Sequence, residues 1–375
     1  MVDGLRRKFD FEVLCGPPLV VTESAASRPA PCPLVQVPTL RFPKRFLFAR
    51  ALNDLSFLIL AFLRGLFLTK PDLIVSQTSP PGVWWAAFLL SRWHRVRCIH
   101  VSKDMFPDNW VILSGGKFGS FFSFLTKLND WILRKADQIV VIGGDMKQRF
   151  LEKGFPAQQI TQTTDWVDLD FIKPLPKKNY FSEKYGLADK FVILYGGNFG
   201  RIHNFEDVIA AAQGLQSEKK IQFVFVGEGA SKKWLMHEVR LRRLDNVTLV
   251  PFEPRSKLPE VLASADAGVI LLRRGMAGLS MPSKIYSLLA SGRPILACVE
   301  GESDIAKIVH ESESGFVIPP GNIEEFHRAI KTLFERRELR DRMGANARRF
   351  AEKKDFQKLA FKDYEDVFFR IMDRR

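Results

Sequence analysis

The sequence predicts an α/β protein: two doubly wound parallel-sheet domains in tandem. Short β-branched runs alternate with longer stretches of helical periodicity, the mark of repeated βα units. The strand-like runs are continuously apolar, as in sheets covered on both faces. The rhythm breaks once, around 170–190, and then restarts.

In the first half, a polar, proline-rich stretch runs from Arg28 to Pro43. The apolar segment Leu55–Leu68 is 14 residues long and carries Arg64. A spanning helix needs about 20 residues, so this segment reads as a core helix, with a membrane-surface helix as the alternative. Asp72–Ser76 and Val96–Val101 are strands with a helix over Gly82–Trp93 between them. Phe118, Phe121, Phe122, Leu125, Leu128 and Ile132 repeat at helical spacing. Gln138–Ile142 is a strand and Gly144–Lys153 a short helix.

The proline-bearing run Lys173-Pro-Leu-Pro-Lys-Lys178 reads as part of a linker. Beyond it, strands are expected at Phe191–Tyr195, Ile221–Val226, Val247–Val250, Ala267–Leu272 and Pro294–Cys298. Helices fall at Phe205–Leu215, Leu258–Ser264 and Ser283–Ser291. From Ile323 the chain reads as helical, ending in Gln357–Met372. The expected division is a first Rossmann-like domain over 1–172, a linker over 173–190 and a second such domain over 191–355. Residues 356–375 form a terminal helix packing back toward the first domain. Ligands of such sheets sit at the carboxyl ends of the strands, so a cleft between the domains is the expected site.

Composition narrows the class. The 375 residues are 46% hydrophobic and 26% charged, which excludes disorder, coiled coil and collagen-like chains. The net charge is +14, with 13 Lys/Arg against 6 Asp/Glu in residues 1–100. That bias suits anionic lipid, nucleotide phosphates or nucleic acid. No nucleic-acid motif is visible, and the basic residues are spread through every element. Cys15, Cys32, Cys98 and Cys298 lie far apart, against a disulfide framework or a zinc site, and no histidine pair has metal-ligand spacing. No metal and no cofactor are expected. Met1–Lys8 is charged and no apolar run follows, so a cytoplasmic setting is expected.

Three strand-end loops carry the chemistry. In Tyr195-Gly-Gly-Asn-Phe-Gly-Arg-Ile-His203 a strand runs into glycines and an arginine before a helix. Glycine lets backbone N–H groups approach phosphate oxygens, and arginine can clamp two of them; a plain tight turn is the other reading. The spacing fits neither G-x-G-x-x-G nor a Walker A loop. His203 lies beside this loop, with a capping or surface role as the alternative. The second loop is Gly275-Met-Ala-Gly-Leu-Ser-Met-Pro-Ser-Lys-Ile285, with Ser283 as an expected N-cap. Lys284, in the first helical turn, opposes the helix dipole unless an anion is bound. The third loop is Gly227-Glu-Gly229.

Jointly, Gly197-Asn-Phe-Gly-Arg201, Val226-Gly-Glu-Gly229, Val250-Pro-Phe252, Pro282-Ser-Lys-Ile-Tyr-Ser-Leu-Leu-Ala-Ser-Gly-Arg-Pro294 and Gly315-Phe-Val-Ile-Pro-Pro-Gly321 carry a resemblance. They resemble the donor half of a retaining GT-B glycosyltransferase of the large family-four-like group, which includes bacterial O-antigen, capsule and colanic-acid-type enzymes. Ser79-Pro-Pro81, Asp104-Met-Phe-Pro-Asp108 and Asp165-Trp-Val-Asp168 resemble its acceptor-domain landmarks. The resemblance implies transfer of a hexosyl or N-acetylhexosaminyl group from a UDP- or GDP-linked sugar to a lipid-linked or glycan acceptor in cell-surface polysaccharide synthesis. It implies Arg201 and Lys284 at the leaving diphosphate, with Gly197, Asn198, Gly200, Gly229, Phe252, Gly278, Pro282, Ser283 and Ser287 binding substrate. Asp104 and Asp108 are acceptor-side candidates, although retaining chemistry on this fold uses the donor phosphate to take the acceptor proton.

Two departures stand out. Many relatives carry glutamates where this chain has Leu279 and Ser287, and one of those usually holds the ribose. Relatives also begin with a strand, a glycine-rich loop and a helix. Here Phe9–Leu14 resembles their second strand and Met1–Lys8 the tail of the first helix, so the first βα unit is expected to be missing and the chain to perform poorly as written. A non-catalytic GT-B remnant and a UDP-sugar epimerase on the same double fold are the alternatives. Trp84, Trp85, Trp93, Phe121, Phe122 and Trp131 read mostly as core. The rest, with Arg41, Lys44, Arg45 and Arg50, would form a peripheral contact with anionic membrane at its inner face.

Overall fold

The computed structural model describes residues 1–17, 32–40, 42, 47–114 and 119–373. Arg28, Arg41, Pro43, Lys44, Arg45, Phe118 and the side chain of Arg50 lie outside the described residues. The chain divides into two units: residues 1–164, 278–280 and 358–375 form the first, and 165–277 with 281–357 the second.

The first unit opens with α1 (Val2–Leu5) and a parallel pair, β1 (Val13–Cys15) with β2 (Leu34–Gln36). Then come α2 (Leu47–Leu66), β3 (Leu73–Gln77), α3 (Val83–His94), β4 (Arg97–Ser102), α4 (Asp108–Leu113), α5 (Gly119–Leu133), β5 (Gln138–Val141), α6 (Gly144–Glu152) and β6 (Ile160–Gln162). Strands β3-β4-β5-β6 form a second sheet in that order, parallel throughout. Its centre is the continuous apolar run expected of a covered sheet: Ile99, Val101, Ile139, Val140 and Val141 are fully buried. Where one sheet was expected there are two, for among the described residues no ladder joins β1 to β3.

Helix α2 departs from the core-helix reading. Ala61 and Gly65 are buried, while Leu55, Ile59 and Leu63 are exposed. Small residues face α3, because a Cβ on Gly65 would stand 2.6 Å from Leu90 Cδ1. Trp84 is core as expected, but Trp93, Phe121 and Trp131 are exposed. Helix α3 buries only one side, with Trp84, Ala86, Ala87 and Ser91 inward.

The second unit begins with α7 (Tyr180–Lys184), inside the stretch read as a linker. That stretch is packed: Lys177 pairs with Asp266, and Asn179 caps α7 in a capping box with Ser182. There follow β7 (Phe191–Gly196), α8 (Phe205–Gly214), β8 (Ile221–Val226), α9 (Lys232–Leu241), β9 (Val247–Val250), α10 (Leu258–Ala263), β10 (Ala267–Leu271), α11 (Lys284–Ala290), β11 (Ile295–Cys298), α12 (Asp304–Ser312), β12 (Gly315–Ile318), α13 (Ile323–Glu335) and α14 (Arg337–Lys354). The sheet order is β12-β11-β10-β7-β8-β9. All five pairings are parallel. The chain winds outward from β7 through β8 and β9, then resumes on the other side of β7 with β10, which makes β7/β10 the switch point. Phe191, Ile193, Tyr195, Phe199, Phe223 and Phe225 anchor the core beneath it. Most of the last helix, α15 (Phe356–Met372), counts with the first unit, where Thr163 Oγ1 donates to Asp363 Oδ2 at 2.8 Å.

Candidate functional site

The switch point explains which sequence-distant loops meet in the second unit. Strands β7 and β8 are paired along their whole length, so the loops after them leave side by side. Gly197 N donates to Val226 O at 2.9 Å, Phe199 N to Glu228 O at 2.7 Å, and Ser231 N to Phe199 O at 2.9 Å. This closeness demands glycine. At Gly227 φ is +152° and a Cβ would stand 1.9 Å from Gly197 O. At Gly229, with φ +153°, a Cβ would stand 2.6 Å from Phe199 N and from Asn198 Oδ1.

On the other flank β7 pairs with β10, and the chain after β10 leads into α11 and Lys284. Lys284 Nζ donates to the Tyr195 hydroxyl at 2.7 Å and sits 3.9 Å from the ring centroid. The Tyr195 hydroxyl in turn donates to Asn198 O at 2.8 Å. A Cβ on Gly197 would lie 3.7 Å from Lys284 Cε. Among the described residues no carboxylate pairs with this ammonium, and burial pulls its pKa down to about 7. His203 is buried beneath it, not at the surface: its Nδ1 lies 2.8 Å from Leu271 O. Burial first, and then the Lys284 charge, hold His203 at about 3, so it stays neutral. A cation without a counter-ion beside open glycine backbone is an arrangement that receives an anion.

Gly197, Asn198, Gly200, Gly229 and Lys284 thus come together. Arg201 is exposed in the turn that follows, its carbonyl accepting from Arg273 Nε at 2.8 Å. Phe252 is exposed just after β9, and Pro282 is buried. Ser283 holds the N-cap position of α11 but makes no side-chain cap bond there, because its backbone is already helical. Ser287 is half-buried within α11. Gly278 counts with the first unit, where its φ is +75° and a Cβ would meet Asp145 O at 2.7 Å. Tyr195, which seats Lys284, is a candidate site residue that the pattern hides. It ends an apolar strand and reads as core; only its position one residue before two glycines hints otherwise.

In the first unit, the carboxyl ends of β3 and β4 enclose a small cavity of about 20 Å³, room for one water. His100, Asp104, Asp108 and Lys153 are among its lining. His100 lies 3.0 Å from Ser76 Oγ and is held at about 3 by burial. Burial raises the Asp104 carboxyl, against a hydrogen bond with Ser280 and the Lys103 charge. Asp108 is committed to Lys153, whose Nζ lies 2.8 and 3.0 Å from its two oxygens and 2.8 Å from Asp130 Oδ1. All three side chains are about four-fifths buried. Lys153→Met is therefore expected to lower stability by about 2 kcal/mol, less than for a fully enclosed pair, read from the urea midpoint. Asp108→Asn, which spares the Asp130 pair, should cost less. Loss of turnover in Asp108→Asn at unchanged stability would instead mark a chemical role. Among the described residues no cluster of His, Cys, Asp or Glu could hold a metal ion.

Residues 177–350 match the family described as Glycosyl transferases group 1, and residues 1–165 match the Glycosyl transferase 4-like domain. The chain is 29% identical to the probable glycosyltransferase WbjE of Pseudomonas aeruginosa, over 82% of this chain and 78% of that one. It is 26% identical to the putative colanic acid biosynthesis glycosyl transferase WcaI of Escherichia coli K12, over 76% and 70%. Among solved structures, WaaG, a glycosyltransferase involved in lipopolysaccharide biosynthesis, shares the fold with a TM-score of 0.70 at 16% identity, covering 96% of this chain and 91% of that one. Anabaena Alr3699/HepE in complex with UDP-glucose gives 0.69 at 15%, covering 89% and 85%. The chain belongs to the group 1, family-four-like glycosyltransferases, enzymes of the GT-B fold that use nucleotide sugars.

Proposed function

We propose that this enzyme moves a hexosyl or N-acetylhexosaminyl group from a UDP- or GDP-linked sugar to a lipid-linked or glycan hydroxyl in cell-surface polysaccharide synthesis, with retention. The observation that carries the reading is the Lys284 ammonium, seated on Tyr195 beside Gly197 with no carboxylate partner among the described residues. The diphosphate lies against the backbone of Gly197–Gly200. Lys284 and Arg201 take up the charge that grows on it as the bond to the sugar C1 breaks. The departing phosphate oxygen accepts the proton of the acceptor hydroxyl while the new C1–O bond forms. Asp104, its carboxyl raised by burial, faces the acceptor. Asp108 keeps a structural role through Lys153. Ser287 offers the ribose a neutral hydroxyl where many relatives have a glutamate.

The colanic acid role given for WcaI and the lipopolysaccharide role of WaaG support a polysaccharide setting, and the UDP-glucose complex of HepE supports the donor class. Among the described residues no helix is long and apolar enough to cross a membrane. The proposed contact with the inner face is peripheral, through anionic lipid.

Calorimetric titration with UDP and GDP is the test. Arg201→Ala is expected to bind the preferred nucleotide about tenfold more weakly, with an unchanged melting temperature because the side chain is exposed. Binding equal to the parent would remove Arg201 from the site. Release of nucleotide from a sugar donor by the parent separates an enzyme from a non-catalytic remnant.

A further inference from the structure

We infer that the first unit docks on an acidic bilayer through the joined C-terminal ends of α2 and α3. This rests on the peripheral-membrane part of the reading above and adds the surface itself. The two helices meet at Gly65, where Leu90 packs and where His94 Nε2 lies 2.9 Å from the Gly65 carbonyl oxygen. The junction turns large apolar side chains outward. Ile59, Leu63 and Phe67 recur every four residues along α2 and just past its end, and Phe67 is 80% exposed. Leu89 and Trp93 do the same on α3, Trp93 at 65%. An apolar cluster of this kind on a monomer marks an interaction surface.

Cations are interleaved with it. Arg64 and Arg92 are exposed on the same helices. Lys70 and Arg95, past the helix ends, line a groove of about 690 Å³ together with Arg92 and Arg97. Its acids are Asp72 and Asp137, and Asp137 is already paired with Arg97 at 3.0 Å. Helix α3 carries no acidic residue, and α2 carries only Asp54, more than two turns before Leu63. Protein interfaces shed charge from their apolar centre. A bilayer surface asks for both classes together: aromatic and aliphatic side chains below the headgroups, with Lys and Arg at the level of the phosphates. The occupant is therefore lipid, with acidic headgroup phosphates in the groove.

Flotation of the full chain tests this, using phosphatidylcholine vesicles with and without phosphatidylglycerol. The parent is expected to float with the acidic vesicles only. Phe67→Ser/Trp93→Ser and Arg64→Glu/Arg92→Glu should each cut the bound fraction about tenfold or more. Melting temperature and UDP affinity should not move in either variant, since all four side chains are exposed. If both variants float like the parent, this surface is overturned while the membrane reading stands. If the parent floats with neither vesicle, the membrane reading falls and this inference with it. Equal flotation with neutral vesicles would overturn the role given to the cations.

Discussion

Replacing Lys284 with methionine is expected to remove turnover by about 10²–10³-fold while leaving the protein at least as stable at neutral pH. The ammonium is enclosed on Tyr195, and its pKa falls from 10.5 to about 7 on folding because burial strips its water. A folded-state pKa below the unfolded value fixes the sign of the pH dependence. Below pH 7 both states hold the proton and the full cost of burying the charge is present. Between about 7 and 10.5 the unfolded chain binds a proton that the folded chain has released, so stability climbs with pH across that window. Lys284→Met should lack this climb. Nucleotide acts in the opposite sense: a diphosphate favours the ammonium, so binding takes up a proton above pH 7 and weakens as pH rises. Melting curves across the window, with calorimetry in two buffers of different ionisation heat, read both effects. A nucleotide affinity independent of pH, with no proton uptake, would rule Lys284 out of the phosphate site.

Gly227→Ala should be among the most damaging single methyls in the second unit. The added Cβ meets Gly197 O at 1.9 Å, backbone against backbone, at a φ of +152° that an alanine resists. Neither partner can swing aside, because Gly197 N is already bonded to Val226 O. The expected cost is about 3 kcal/mol, a fall of about 10 °C in melting temperature. UDP binding should be lost even below that temperature, since the loops must part to fit the methyl. Gly186→Ala is the control: its φ is also positive, at +65°, but nothing lies within 4 Å of the added carbon. A Gly227→Ala protein that melts like this control would show that the two loops are not locked.

The second-unit strands were legible because buried parallel strands need unbroken apolar runs: Phe191–Tyr195 and Ile221–Val226 appear almost residue for residue as β7 and β8. Helix α9 escapes such reading because it buries only Leu235. Strands β2 and β6 are three residues each, too short for any period. The glycine loops and Lys284 were visible as local oddities, but their meeting depends on β7 lying beside β10, which no local pattern encodes. Lys153 is likewise silent in sequence, standing 45 residues from the Asp108 it neutralises. Nor does periodicity say which helical face is left uncovered: Trp93 and Trp131 carry the same letters whether they pack or protrude.

The separation of the first unit's strands into two sheets bears on how copies of the protein behave toward one another. Among the described residues, β3 has a ladder partner on one side only, β4, and β1 has only β2. Among the described residues no ladder forms on the other side of Leu73-Ile-Val-Ser-Gln77, and a half-exposed apolar strand paired on one side is a template for any extended segment that approaches it. What opposes such pairing between copies is the charge of +14. That repulsion reaches only about 8 Å at physiological ionic strength and shrinks as salt is added. Colloidal stability is thus expected to rest on charge, and concentrated, salty solutions are where a strand paired on one side would limit solubility.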